Sequence, residues 1–240
     1  MKIKSIEDKV NIIDDIMSPT QIKTFNQLLG NSIHWDTDLD VGTSVMRNEF
    51  FRDNKIESIY EQFQFSAVER RKDDLHDVKL DDFTPALTHI VYFPLMQWCL
   101  HKNYMLKYED IIRCKINLQT RAPENSRGKF NAPHCDLGPV SEEKYLTALY
   151  YVNDSDGDTY FFNEGLDKIN DIKNLDNLNV LTKVSAKAGR LVVFPSNIVH
   201  AGSHPIENNY RIVINYNFCL KMRYGFEEYE EKRKKNYGNL

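Results

Sequence analysis

The run YLTALYYVN, residues 145–153, decides the fold class, because β-branched and aromatic residues fill most of it and strands favour such residues. Comparable short runs lie on either side of it, at residues 111–120, 158–162, 190–195 and 210–218. Turn-forming residues separate these runs, as in Asn153-Asp154-Ser155-Asp156-Gly157. The second half of the chain is therefore predicted to be rich in strands.

The first half favours helices. Ser18-Pro19-Thr20-Gln21 has the pattern of a helix start, with Ser as N-cap and Pro at the first position. The apolar run from Pro85 to Leu100 predicts a core helix that Pro94 should kink or break. Residues 56–72 are charged and irregular and predict a surface helix, while Trp35 to Phe51 suggests strands.

Helices followed by strands indicate an α+β chain in which helices cover one sheet of a sandwich or barrel. No linker divides the sequence, so we expect one domain over residues 1–240. Its parts would be a supporting region (about 1–110), a strand core (about 111–218) and a charged tail (219–240).

Composition narrows the class of protein. The 240 residues are 41% apolar and 28% charged with a net charge of −4, which is typical of a globular protein and makes nucleic acid an unlikely partner. The four cysteines form no CxxC pair, and no signal peptide or membrane span is evident. We therefore expect a cytoplasmic protein with reduced thiols and no membrane partner, and the oligomeric state stays open.

The triplet His134-Cys135-Asp136 is the main chemical signal. On a strand, a His and an acid two residues apart point to the same face. With His200 from a distant strand they would give two imidazoles and one carboxylate, the set expected of non-haem Fe(II) oxygenases.

His204 competes with His200 for the second imidazole, because the two have the i, i+4 spacing of helical zinc ligands. Gly202 and Pro205 make a helix there improbable, and no Glu follows His200 as the HExxH motif requires. The sequence therefore favours His200.

Arg211 lies inside the apolar run YRIVINYNF, residues 210–218. A buried, unpaired Arg is costly, and this run offers no acid, so a bound carboxylate is the natural partner. The alternative is an Arg on the solvent face paired with a surface acid. Asn215 and Asn217 share its strand face and could line the same cavity.

These motifs together resemble the 2-oxoglutarate/Fe(II)-dependent dioxygenase superfamily, most closely its prolyl-4-hydroxylase-like branch. The motifs that carry the resemblance are H-C-D, Y-Y-V-N, G-D-T-Y-F-F, A-G-R-L-V-V-F-P and a His followed, after ten residues, by Arg. The resemblance covers roughly residues 111–218, about half of the chain. The resemblance implies a double-stranded β-helix core (jelly-roll, cupin-like) buttressed by N-terminal helices.

The resemblance also implies the site residues and the cofactors. Fe(II) would be bound by His134, Asp136 and His200, and 2-oxoglutarate by Arg211 and Tyr151. Asn117, Thr147 and Asn217 are further candidates for cofactor binding. O2 would be the other co-substrate, with ascorbate in support. Several relatives have a tyrosine near position 119, where this chain has Gln119.

The implied activity is hydroxylation of a C–H bond, with release of succinate and CO2, on a proline of a peptide or protein. Alternatives are an oxygenase acting on a small molecule or nucleobase, and a non-catalytic jelly-roll module that binds a metal or carboxylate. The loop 121–133 is a candidate mobile lid, and residues 163–181 look like an insertion. Whether either contacts substrate is left open.

Overall fold

The computed structural model describes residues 9–32, 36–38, 64–72, 77–79, 85–102, 104–136, 145–165 and 178–219. Three parts of the sequence lie mostly outside the described residues: the predicted strands at 35–51, the predicted insertion at 163–181 and the predicted tail at 219–240.

The described elements are, in chain order, β1 (Asn11–Ile13), α1 (Pro19–Ser32), β2 (Asp36–Asp38), β3 (Gln64–Lys72), β4 (Asp77–Lys79), α2 (Pro85–His101), β5 (Ile111–Thr120), β6 (Tyr145–Tyr151), β7 (Ser155–Phe162), β8 (Val180–Ala186), β9 (Leu191–Pro195), β10 (His200–Gly202) and β11 (Tyr210–Cys219). The strands predicted in the second half are confirmed to within a few residues at their ends.

Both helices form where the sequence places them. The Ser18 hydroxyl accepts a hydrogen bond from the Gln21 amide (3.3 Å), and the Gln21 side chain accepts one from the Ser18 amide (2.8 Å), which is a reciprocal capping box. Helix α2 is not broken at Pro94 and continues to His101. Buried Leu95 and Trp98 hold the turns beyond the proline against the sheet. No helix in the described part of the chain combines the length and apolar character needed to cross a bilayer.

The prediction of a helix over residues 56–72 is wrong for its second part, because residues 64–72 form β3. Strand β3 pairs antiparallel with β5, with Phe65 opposite Leu118 and Ala67 opposite Ile116. A strand that completes a sheet gains its stability from this long-range pairing and burial, which local charge patterns do not reveal.

The strands form two antiparallel sheets. The larger has the order β1-β9-β6-β11-β5-β3-β2, with β4 beside β3, and the smaller has the order β10-β7-β8. An isolated bridge joins His134 to His200, with backbone N···O distances of 3.0 and 2.9 Å in the two directions. This bridge fixes the chain around His134 on the edge of the smaller sheet.

Alternation along the strands separates two interiors. Ile214, Tyr216 and Phe218 of β11 face α1 and α2, where Phe25 meets Tyr150 edge to face at 5.4 Å between ring centroids. A second apolar layer fills the space between the two sheets; it contains Leu149, Tyr151, Phe161, Val184, Ala186, Val192, Phe194, Ile198 and Val213. The architecture is the predicted α+β double-stranded β-helix with helices on one sheet.

A polar clasp closes the ends of β7 and β8. The Glu164 carboxylate accepts hydrogen bonds from the backbone amide (3.2 Å) and the side-chain amide (3.0 Å) of Asn179. The clasp brings the two ends of the intervening segment together beside the smaller sheet.

Phe25 anchors α1, so we expect Phe25→Ala to lower the free energy of unfolding by roughly 3–5 kcal/mol through loss of burial and the cavity left behind. Urea denaturation followed by circular dichroism measures this. Lys23→Ala, on the exposed side of the same helix, is the control and should change stability by less than about 0.5 kcal/mol. Equal effects of the two changes would contradict the packing described for α1.

Candidate metal and carboxylate site

His134, Asp136 and His200 converge at one point between the sheets, with one potential ligand atom of each within 4.8 Å of the others. The Nδ1 atom of His134 lies 3.0 Å from the Ala132 carbonyl, and that of His200 lies 3.0 Å from the Ile198 carbonyl. Each carbonyl accepts a hydrogen bond from the Nδ1–H group, so the lone pair of each Nε2 is available to a metal. The predicted triad is therefore brought together in the form that binds a cation.

A hydrogen-bond network orients the Asp136 carboxylate. Its Oδ2 accepts from the Thr147 hydroxyl (2.8 Å) and its Oδ1 from the Asn215 side-chain amide (3.1 Å). Behind them, the Asn217 side-chain amide donates to Thr147 (3.0 Å), and the Ser196 hydroxyl lies 3.0 Å from the same oxygen. Each carboxylate oxygen is thereby held in a fixed direction.

Three of the residues predicted to bind cofactor take different places around the site. Thr147 and Asn217 lie behind Asp136 and do not line the described cavity, whereas Asn117 does. The contacts of Thr147 and Asn217 are those of groups that position a ligand carboxylate. Ser196, which completes the network, was not singled out from sequence, because nothing in its local pattern distinguishes it.

Burial and neighbouring charges set the protonation of His134 and Asp136. Burial lowers the pKa of His134 to about 4, helped by the charge of His200. Burial opposes ionisation of Asp136, but the two histidines, Arg113 and the Thr147 hydroxyl together lower its pKa to about 2. A neutral His134 beside an ionised carboxylate is the state that metal binding requires.

The structure brings His200, and not His204, to the triad. His204 is buried with its Nδ1 3.1 Å from the Thr120 carbonyl. Burial, with a smaller contribution from the charge of Arg211, lowers the pKa of His204 to about 4.

Arg211 is buried, with 5% of its surface exposed, so the alternative of a solvent-facing Arg is wrong. Its Nη1 donates to the Gln119 side chain (2.7 Å) and its Nη2 to the Thr159 hydroxyl (2.8 Å). The guanidinium carbon lies 5.5 Å from the centre of the Tyr151 ring. No carboxylate among the described residues forms an ion pair with Arg211, and its Nε has no hydrogen-bond partner there.

Thr159 connects Arg211 to Tyr151. The Tyr151 hydroxyl donates to the Thr159 oxygen (2.6 Å), which also accepts from Arg211, so the Thr159 proton is left to donate to a third partner. Thr159 lines the cavity. Sequence reasoning missed it, although its place in the G-D-T-Y-F-F strand motif was a usable signal.

Two glycines make room for Arg211. A β-carbon on Gly157 would lie 2.7 Å from the Arg211 Cδ, and one on Gly202 would lie 3.2 Å from its Nη1. A side chain at position 157 would therefore clash with Arg211 and with the Ser203 carbonyl, whereas one at position 202 would displace the guanidinium only slightly.

These groups surround a cavity of about 210 Å³ between the two sheets. The described lining residues are Gln64, Arg113, Lys115, Asn117, Gln119, Asn131, His134, Cys135, Asp136, Leu149, Thr159, His200, Gly202, Arg211, Val213 and Asn215. The triad and the buried guanidinium therefore open into the same space.

The loop 121–133 is tied to the body at both ends. The Ala122 amide donates to the Pro205 carbonyl and the Asn131 amide to the Gly202 carbonyl, each at 2.8 Å. The Asn131 side chain lines the cavity, which places this loop beside any bound ligand. Its movement as a lid stays a prediction.

Residues 120–219 match the family model described as the 2OG-Fe(II) oxygenase superfamily. Among solved structures, a 2OG-Fe(II) oxygenase family oxidoreductase from Burkholderia pseudomallei aligns with a TM-score of 0.57 and 11% identity, over 90% of this chain and 87% of that one. AviO1 from Streptomyces viridochromogenes Tue57 aligns with a TM-score of 0.51 and 14% identity, over 88% and 89%.

HygX from Streptomyces hygroscopicus, solved with nickel and 2-oxoglutarate bound, aligns with a TM-score of 0.51 and 11% identity, over 92% of this chain and 89% of that one. These likenesses show the fold. No protein of curated function matches the sequence.

Thr147→Val should weaken metal binding roughly 10- to 100-fold, because it removes the hydroxyl that holds the Asp136 carboxylate. Competition between the protein and a fluorescent chelator for Mn(II) measures the affinity. Thr147→Ser keeps the hydroxyl and should bind the metal nearly as tightly as the unaltered protein. An unchanged affinity in Thr147→Val would show that the network does not position the carboxylate.

The metal-free protein should lose stability as the pH falls from about 6.5 towards 4. In this window the unfolded chain protonates its histidines, whereas folded His134 and His204, with pKa values of about 4, stay neutral. Each should account for on the order of 3 kcal/mol once the pH reaches the folded value. Urea titrations across this range should show a shallower slope of stability against pH in His204→Gln than in the unaltered protein.

Proposed function

We propose that this chain is a member of the 2OG-Fe(II) oxygenase superfamily, whose family model matches residues 120–219, and that it is a 2-oxoglutarate-dependent hydroxylase of C–H bonds. One observation carries the proposal: the His134, Asp136 and His200 triad and the buried Arg211 open into a single cavity. A metal site alone would suit many functions. Here the same cavity also holds the buried Arg211, which has no carboxylate partner among the described residues. A metal site beside such a cation is the arrangement expected when the metal acts together with an acidic co-substrate.

The donor set fits Fe(II). Two imidazole nitrogens and one carboxylate occupy one face of an octahedral ion and leave the opposite positions for exchangeable ligands. The backbone carbonyls of Ala132 and Ile198 fix both rings with Nε2 turned to the triad. In this proposal His134, Asp136 and His200 hold the iron, and Thr147 and Asn215 hold Asp136.

The end of the cavity formed by Arg211, Gln119 and Thr159 fits the distal carboxylate of 2-oxoglutarate. The guanidinium offers a fixed fork of donors, and the Thr159 hydroxyl offers one more. Tyr151 acts through Thr159, since its hydroxyl donates to that oxygen. Gln119 accepts from Arg211 and so orients the guanidinium where several relatives have a tyrosine.

Bound Fe(II), with 2-oxoglutarate and O2, supplies the oxidation of a substrate C–H bond, with release of succinate and CO2. The chain binds the co-substrate at one end, orients the metal ligands at the centre and excludes bulk water with the apolar side chains of Leu149 and Val213. We also propose that residues 1–240 form a single domain. Asn117 would line the cavity close to the bound co-substrate. Prolyl hydroxylation of a peptide or protein is the finer hypothesis, supported by the motif resemblance.

The test is an anaerobic titration of the metal-free protein with Fe(II) and 2-oxoglutarate. Chelation of the co-substrate should produce a metal-to-ligand charge-transfer band, and admission of O2 should release succinate. His200→Ala should abolish both signals. Arg211→Gln should keep metal binding but weaken 2-oxoglutarate binding about 10- to 100-fold, because it removes a buried charged donor.

Arg127→Gln is the matched control, because Arg127 is exposed and pairs only with surface carboxylates. It should bind 2-oxoglutarate like the unaltered protein. A band without succinate release would identify the non-catalytic binding module, and the absence of a band would refute the proposed function.

A further inference from the structure

Strand β5 presents a row of polar side chains to the cavity at alternate positions. They are Arg113, Lys115, Asn117 and Gln119. The residues between them, such as Cys114 and Ile116, are buried in the core under the helices. The whole length of the strand therefore lines the cavity with groups suited to binding a polar molecule.

The register with β11 places the two ends of this row. Gln119 lies opposite Arg211 at one end, and Lys115 lies opposite Asn215, which holds Asp136. Arg113 lies one step further, about 7 Å along the strand from Lys115. The triad thus stands between the Arg211 end, where the co-substrate would bind, and the Arg113 end, which the co-substrate would leave open.

The end of the cavity at Arg113 is positively charged. Among the described residues that line the cavity, the cations are Arg113, Lys115 and Arg211, and the only acid is Asp136. The charges of Fe(II) and the 2-oxoglutarate dianion would cancel, and Asp136 offsets Arg211, which leaves Arg113 as a surplus positive charge among these described residues without counting Lys115. Inside a cavity such a surplus attracts an anion more strongly than it would on an open surface.

Arg113 is the group best placed to use this surplus. It makes no hydrogen bond or ion pair with any other described residue. Its guanidinium offers several donors in one plane, the geometry that matches a carboxylate or a phosphate.

We propose that the primary substrate is a small organic anion whose carboxylate or phosphate group binds Arg113 and Lys115, at the end of the cavity opposite Arg211. The inference rests on the proposed oxygenase function and adds the substrate class. Because Arg113 is close to the triad along the strand, the C–H bond to be oxidised lies only a few bonds from the anionic group. A neutral peptidyl proline lacks that group, so this substrate class replaces the prolyl residue of the finer hypothesis above.

The experiment uses phenyl phosphate and benzoate as probes, with phenol as the uncharged analogue, on the anaerobic complex with Fe(II) and saturating 2-oxoglutarate. Binding is followed by the shift of the charge-transfer band and, for phenyl phosphate, by the enhanced relaxation of its phosphorus nucleus near the paramagnetic iron. At least one anion should bind saturably without displacing 2-oxoglutarate. Comparison of the two anions identifies phosphate or carboxylate as the preferred group.

Arg113→Gln should weaken anion binding at least about tenfold, whereas Arg113→Lys should retain most of it. Lys102→Gln, which removes an exposed cation beyond α2, should bind the anion normally. Three results would overturn the inference: equal anion binding by Arg113→Gln, equal binding of phenol, or displacement of 2-oxoglutarate by the anion.

Different results would refute the anion site and the proposed oxygenase function. Absence of the charge-transfer band counts against the oxygenase. In that event, calorimetric titration of the metal-free protein with phenyl phosphate, comparing Arg113→Gln with Arg211→Gln, still tests the anion site. Loss of binding in Arg113→Gln alone supports it, and loss only in Arg211→Gln refutes it.

Discussion

The alternation of side chains along β11 is the constraint on which the rest of the structure depends. One set of its residues, Ile214, Tyr216 and Phe218, packs under the helices, and the other, including Arg211 and Asn215, faces the cavity. A slip of one residue would exchange the two sets, placing a guanidinium in the apolar core. The hydrophobic energy of the helix-covered face therefore fixes the orientation of the polar groups on the opposite face.

Much of this arrangement could be predicted from the sequence. The runs that became β5, β6 and β11 carry dense β-branched and aromatic residues, so their positions were predicted to within a few residues. The triad could be inferred because a strand spacing of two is a local property, and the Gly and Pro around His204 excluded a helical pair there. Arg211 stood out as a charge in an apolar run, and the structure shows it buried, while its binding of a co-substrate stays a prediction.

The rest depends on contacts between distant parts of the chain. The local sequence of β3 predicts a charged helix, and its pairing with β5, β2 and β4 makes it a strand. The support of Asp136 joins residues from β6, β11 and the turn after β9, which no local pattern connects. The close contact of Gly157 with Arg211 likewise appears only when β7 is packed against the start of β11.

The clasp between Glu164 and Asn179 has a consequence for how such a protein can change in evolution. Because the ends of β7 and β8 are held by their own hydrogen bonds, the pairing of these strands does not depend on the chain between them. The entropy of closing a loop grows only slowly with its length, so residues can be gained or lost there at small cost in stability. Sequence between these two positions is free to diversify, while the strand that carries Thr159 stays in register.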